Sequence, residues 1–273
     1  VPPFVAFQQE NPSMPRLCVN LKWLFTELPF LDRFDAAARA GFTAVEYASP
    51  YEHPAAEIRS RLRACGQQQV LFNTPPGDPA RGGGSGLACI PGAQEEFRDG
   101  VKQALDYAAG LECGMVHLMA GRQPPDVSSD TAAAVYGANV AWAAEQAAAA
   151  GVLLVLEPIN QRDVPGFFLR TQEQGASVIA AVGRERVGLQ FDIYHCQVAQ
   201  GDVTRRMETL MPVIAHMQIA DVPGRNEPGT GELGWDFIFR RIDALGYRGW
   251  VGCEYRPATE TMAGLNWRSR YSL

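Results

Sequence analysis

From Leu17 to the end of the chain, short apolar runs bounded by polar and turn-forming residues alternate with longer stretches whose apolar positions return every three to four residues. The short runs have the length of buried strands and the longer stretches the spacing of amphipathic helices. Eight strands are predicted: RLCVNLKWLF (16–25), FTAVEYA (42–48), QVLFNT (69–74), MVHLMAG (115–121), GVLLVLEPIN (151–160), VGLQFDIYH (187–195), VIAHMQIAD (213–221) and GWVGCEYRP (249–257). Between them lie segments such as PFLDRFDAAARAG and TAAAVYGANVAWAAEQAAAAG, which end on glycine at the left-handed position that closes a helix. Eight β-α units in about 250 residues match a single closed (β/α)8 TIM barrel, an α/β fold. An open doubly wound sheet would carry a Gly-rich phosphate turn after its first strand, and none stands there. The glycine cluster RGGGSG (81–86) fits no nucleotide fingerprint and reads as a mobile loop over the barrel mouth or a plain connection. Residues 1–15, Pro-rich and patternless until Met14, read as an extension outside the fold, with Met14 as the natural start and the barrel over 16–273.

The last four strands share an ending. LVLEPIN, LQFDIYH, HMQIADV and VGCEYRP each place an oxygen-bearing side chain at the carboxyl end: Glu157, Asp192, Gln218 and Glu254. Carboxyl ends of barrel strands form the active-site face, so these groups aim at one point. By alternation, Val155, Gln190, His216 and Gly252 line the interior just below. Three converging carboxylates repel one another and raise the pKa of at least one, unless a cation holds them. Three anionic oxygens and an amide suit Mg²⁺ or Mn²⁺ better than Zn²⁺. Taken alone, each residue reads as an ordinary polar strand end; four in succession read as a metal site.

Composition narrows the partners. The 24 Lys and Arg residues are scattered and the net charge is −6, so no basic stripe invites nucleic acid. The longest nearly apolar run, Ala147 to Leu156, falls well short of the roughly 18–20 residues that cross a membrane, and the opening lacks the features of a signal peptide. Six scattered cysteines without a C-x-x-C pair fit a reducing cytoplasm. A homo-oligomer is left open.

The motifs LEPIN, FDIYH, HMQIAD, PGR and GCEYRP, with NTPPGD (73–78) and HLMAG (117–121), resemble those of the hydroxypyruvate isomerase family from about Arg16 to Trp267. That family sits among the xylose-isomerase-like barrels, with ketose 3-epimerases and three-metal endonucleases. The resemblance implies a divalent metal held at Glu157, Asp192, Gln218 and Glu254, with the two glutamates as catalytic acid and base. The implied reaction interconverts hydroxypyruvate and tartronate semialdehyde by proton transfer through a cis-enediolate. Gln218 favours this branch, since ketose 3-epimerases typically carry His there. Lys22, in NLKWLF, departs from the small polar residue expected of relatives.

For that chemistry His195 reads as a neutral donor to a substrate oxygen or a loop histidine satisfied by backbone, His216 as a residue orienting the ligands, and His117 as a satisfied core histidine. Arg225 is best suited to hold a substrate carboxylate with two bonds, ahead of Arg122 and Lys22. Glu46 reads as a structural ion pair or a group reaching the mouth, and Glu232 as support for the metal or a helix cap. Trp23, Phe25, Tyr51 and Trp235 read as an apolar lid or as core. The rival functions are isomerisation of a four-carbon oxo-acid such as 2-oxotetronate, ketose 3-epimerisation, and a silent sugar-binding barrel. Endonuclease chemistry calls for more than the four histidines present and for a basic surface. A two-metal hydride shift stays open beside proton transfer.

Overall fold

The computed structural model describes residues 15–271; residues 1–14, with Met14 and nearly all of the expected extension, lie outside the described residues. All eight expected strands are present: β1 (Arg16–Asn20), β2 (Ala44–Glu46), β3 (Gln68–Asn73), β4 (Met115–His117), β5 (Leu153–Leu156), β6 (Val187–Asp192), β7 (Ile214–Ile219) and β8 (Trp250–Cys253). Each pairs in parallel with its sequence neighbour, and β1 closes the barrel on β8 with Leu17 opposite Val251. The outer ring comprises α1 (Arg33–Arg39), α2 (Ala55–Ala64), α3 (Gln94–Leu111), α4 (Ser129–Ala149), α5 (Gln172–Val182), α6 (Ile193–Ala199), α7 (Val203–Leu210) and α8 (Trp235–Ala244). Two short helices, α9 (Thr261–Gly264) and α10 (Trp267–Arg270), end the described chain. Ser128 and Thr171 start α4 and α5 by accepting from the Thr131 and Gln174 N–H groups (3.1 and 3.2 Å).

The strands are shorter than the apolar runs that announce them, and the residues left over at their carboxyl ends become the walls of the mouth. The largest departure follows β6, where residues 193–195, expected to end the strand, open a helix. Asp192 caps that helix, its Oδ1 accepting from the N–H groups of Tyr194 (2.7 Å) and His195 (3.1 Å). The glycine cluster lies at the mouth, with Gly84 and Ser85 lining its cavity. It is fastened there: the N–H groups of Gly84 and Gly86 donate to Pro76 O (2.7 and 2.9 Å), and Gly121 donates to Ser85 O (2.9 Å). Gly86 has φ +99° and a Cβ there would collide with the Met119 carbonyl, so a side chain is excluded.

The main core packs strand residues such as Leu154, Phe191 and Val251 against Phe34, Ile58, Ile179 and Ile242 from the helices. A small apolar cluster of Cys18, Ala44, Val70, Leu71 and Val155 adjoins buried polar residues that include Glu46, Gln190, His216 and Gln218, with Cys18 Sγ 3.4 Å from Glu46 Oε2. No helix among the described residues is long and apolar enough to cross a membrane. Leu154, fully buried on β5, tests the core. Its replacement by Ala is expected to lower the unfolding free energy by about 2–5 kcal/mol. Urea denaturation would show this as a lower midpoint with an unchanged slope.

Candidate active site

The carboxyl ends of β5, β6 and β8 bring Glu157, Asp192 and Glu254 together, and the first turn of α6 adds His195; one donor atom of each lies within 4.8 Å of the others. Glu157, Glu254 and His195 line a cavity of about 230 Å³, which is also walled by Trp23, Met119, Ile159 and Phe167. Burial pushes the Glu157 carboxyl well above the usual carboxylate range, and Glu254 and Asp192 push it further against the pull of Arg225. Asp192 is likewise raised, chiefly by burial, with Arg225 opposing. Arg225 Nη2 lies 2.7 Å from Glu254 Oε2 and 3.7 Å from Asp192 Oδ2. The guanidinium is sandwiched between the rings of Trp23 (4.8 Å) and Tyr194 (4.9 Å), which fixes it over the carboxylates. It thus balances the protein's own charge while facing the cavity.

Two neutral imidazoles border the cluster. Burial and the Arg225 charge hold His195 well below the usual histidine range. Its Nδ1 accepts from Asn160 Nδ2 (2.7 Å), which leaves the proton on Nε2, 3.7 Å from both Glu157 Oε1 and Asp192 Oδ2. The Asn160 backbone N–H also reaches Nδ1 (3.5 Å), so the backbone shares in holding the ring while Nε2 faces the carboxylates. His117 also departs from expectation: its ring lines the cavity, Nδ1 is 3.4 Å from Glu157 Oε2, and neither nitrogen makes a hydrogen bond. Burial depresses its pKa to about 3.

The residues fit a divalent cation. Asp192 Oδ1 is occupied by the helix cap, while its Oδ2 is buried without a hydrogen-bond partner and stands beside Glu157, Glu254 and His195. These donors, mostly carboxylate oxygens, suit a hard ion. Gln218, the fourth expected ligand, is held in the layer below: Nε2 donates to Glu46 Oε1 (2.8 Å), and Oε1 accepts from Gln190 Nε2 (2.6 Å). One lone pair of that carbonyl oxygen remains. His216 is fully buried and donates from Nε2 to Glu46 Oε2 (2.7 Å), so Glu46 has a structural partner inside the barrel and is not part of the cavity lining.

Lys22 lines the rim of the cavity, with Nζ 5.5 Å from the centre of the Trp23 ring. Arg122 is exposed and donates to Ser85 Oγ (3.3 Å), outside the cavity lining. Glu232 supports neither a metal nor a helix cap; it accepts from Gln197 Nε2 (3.3 Å) at the surface. Of the four aromatic residues, Trp23 lines the cavity, Phe25 and Trp235 are core, and Tyr51 donates to Asn73 O (2.7 Å).

Nothing in the strand pattern singles out Asp221, yet it organises the loop that carries Arg225. Its Oδ1 accepts from the N–H groups of Val222 (2.9 Å) and Leu233 (3.2 Å), and its Oδ2 from those of Gly229 (2.9 Å), Gly231 (2.9 Å) and Trp235 Nε1 (3.0 Å). Arg225, at φ +56°, donates its own N–H to Asp221 O (2.9 Å). An aspartate at a strand end before a loop rich in Gly and Pro is the one signal the sequence offers for this role.

A family model for the xylose isomerase-like TIM barrel matches residues 34–271. The 2-oxo-tetronate isomerase of Cupriavidus necator is 48% identical over 258 residues, covering 94% of this chain and 99% of its own. The hydroxypyruvate isomerase of Escherichia coli is 43% identical over 258 residues, covering 94% of this chain and 100% of its own. The crystal structure of AP endonuclease, family 2, from Brucella melitensis superposes with a TM-score of 0.91 at 42% identity, covering 94% of this chain and 99% of that one.

Replacing Asp221 by Asn sets an amide N–H₂ against backbone donors that now bond a carboxylate. The expected cost is about 1–3 kcal/mol of stability, read from denaturant unfolding, with activity falling further than stability because the loop that carries Arg225 is loosened.

Proposed function

The chain belongs to the xylose isomerase-like TIM barrel family, and from that premise we propose that it is an isomerase of small hydroxy-oxo acids, interconverting hydroxypyruvate and tartronate semialdehyde. The observation that carries the reading is the cluster of Glu157, Asp192, Glu254 and neutral His195 under a small apolar cavity, with Arg225 fixed beside it. The names of the Cupriavidus and Escherichia relatives support the same class.

Glu157, Asp192, Glu254 and the free lone pair of Gln218 Oε1 would hold Mg²⁺ or Mn²⁺. Bound there, the ion supplies a Lewis acid that makes the substrate C–H more acidic and stabilises the enediolate. Glu157 and Glu254 approach from β5 and β8, so one takes the proton from C3 of hydroxypyruvate and the other returns a proton to C2. The hydroxyl proton passes from the C3 oxygen to the C2 oxygen, so C2 becomes a secondary alcohol and C3 the aldehyde. His195 Nε2–H donates to the oxygen on which charge develops. Arg225 holds the substrate carboxylate from the cavity side and Lys22 from the rim. Trp23 and Phe167 keep water from the intermediate.

The 48% identity to a 2-oxo-tetronate isomerase favours a second reading, a four-carbon acid handled by the same transfer from C3 to C2 with one more hydroxymethyl group to seat.

Proton NMR in D₂O, with Mg²⁺ or Mn²⁺ and with the non-enzymatic exchange subtracted, tests both. The expected result is metal-dependent conversion of hydroxypyruvate with deuterium entering the carbon skeleton, lost in Glu254→Gln. Conversion of 2-oxotetronate alone moves the assignment to the four-carbon acid, and no conversion of either acid rejects the proposal. Separately, Mn²⁺ at a hundred times its Kd is expected to stabilise the fold by about 2.7 kcal/mol, read as a rise in Tm. Asp192→Asn should weaken that rise.

A further inference from the structure

Glu46 lies on β2, fully buried, two strands from β8, whose end carries Glu254. Four donors converge on it. Asn20 Nδ2 (2.9 Å) and Gln218 Nε2 (2.8 Å) donate to Oε1, while His216 Nε2 (2.7 Å) and Cys18 Sγ (3.4 Å) donate to Oε2. Burial alone would raise this carboxyl, but His216, Gln218 and Asn20 outweigh it and hold it below the usual range. A side chain at Gly252 would collide with Glu46 Oε1, so the facing strand leaves it room.

An ionised carboxylate only accepts hydrogen bonds. The Gln218 amide must therefore turn its N–H₂ toward Glu46 and its carbonyl away, onto the Gln190 N–H (2.6 Å). The same Asn20 amide that donates to Glu46 also donates to Glu254 Oε1 (3.2 Å), so the carboxylate sets that orientation too. We propose that Glu46 is a positioning residue of the active site: it fixes Gln218 with its carbonyl, not its N–H₂, available to the metal, and steadies Glu254 through Asn20. The inference rests on the reading that Gln218 Oε1 is a metal ligand.

The test is Mn²⁺ affinity, followed by electron paramagnetic resonance of the free ion, in the wild type, Glu46→Gln, Gln218→Ala and the double variant. Glu46→Gln offers an N–H₂ of its own and releases the Gln218 amide to turn over. It is expected to weaken Mn²⁺ binding by about 10–100-fold, with little further loss when Gln218 is already Ala, since the two act as one unit. Glu46→Asp keeps the negative charge that His216 and Cys18 face but withdraws the oxygen from Gln218. It should show the same dependence on Gln218 and serves if the Gln variant does not fold. Undiminished affinity in folded Glu46→Gln and Glu46→Asp, or an equal loss with and without Gln218, overturns the proposal. If Gln218→Ala alone binds Mn²⁺ as the wild type does, the ligand assignment falls and this inference with it. Failure of the wild type to bind Mn²⁺ at all would instead sink the metal reading itself.

Discussion

Three carboxylates brought to one buried point repel one another, and the rest of the site is arranged around that repulsion. Two like charges 4 Å apart in a partly buried site cost about 4 kcal/mol. Asp192 spends one oxygen on two backbone N–H groups of α6, and Glu254 shares Arg225 and the Asn20 amide. Glu157 has weaker compensation, with His117 and His195 at 3.4 and 3.7 Å and both imidazoles held neutral. Burial and the neighbouring carboxylates accordingly drive its carboxyl toward the protonated form. The shape of the deficit, anionic and open on the Glu157 side, is the reason a divalent cation fits.

The layer beneath is polar where barrel interiors of this kind are mostly filled by branched apolar side chains. Burying Glu46 there is tolerable because every acceptor position on it meets a donor. Buried polar atoms nearly always have partners, yet in the cavity and the carboxylate cluster His117 Nδ1 and Nε2, Asp192 Oδ2, Arg225 Nε and Trp23 Nε1 have none. In the layer beneath, Gln190 Oε1 and His216 Nδ1 are likewise unpartnered, so Glu46 stands out there by having both of its oxygens filled.

Legibility in the sequence followed the range of the interactions. The eight strands and the strand-end positions of Glu157, Asp192, Gln218 and Glu254 depend on local pattern, and they could be read from spacing. His117 was misjudged because β4 stops at that residue instead of running on to Gly121, so a side chain expected in mid-strand stands at the mouth. Glu232 and Trp235 looked available because loop position alone does not reveal a Gln197 partner or an Asp221 acceptor. Asp221 and Glu46 stayed hidden or undecided because their roles consist of bonds to residues distant in sequence, Gly231 and Leu233 for one, His216 and Gln218 for the other.

Barrels of this family carry different chemistries on one scaffold, so the reaction has to be argued from the site. A protein with 42% identity and nearly the same backbone bears an endonuclease name, so likeness of backbone alone does not choose among them. Arg225, on the wall of the cavity, pairs with Glu254 and Asp192 and so offsets part of their charge. The space above the carboxylates is about 230 Å³, bounded by Trp23, Met119, Ile159, Val164 and Phe167. A small-molecule substrate suits such a space.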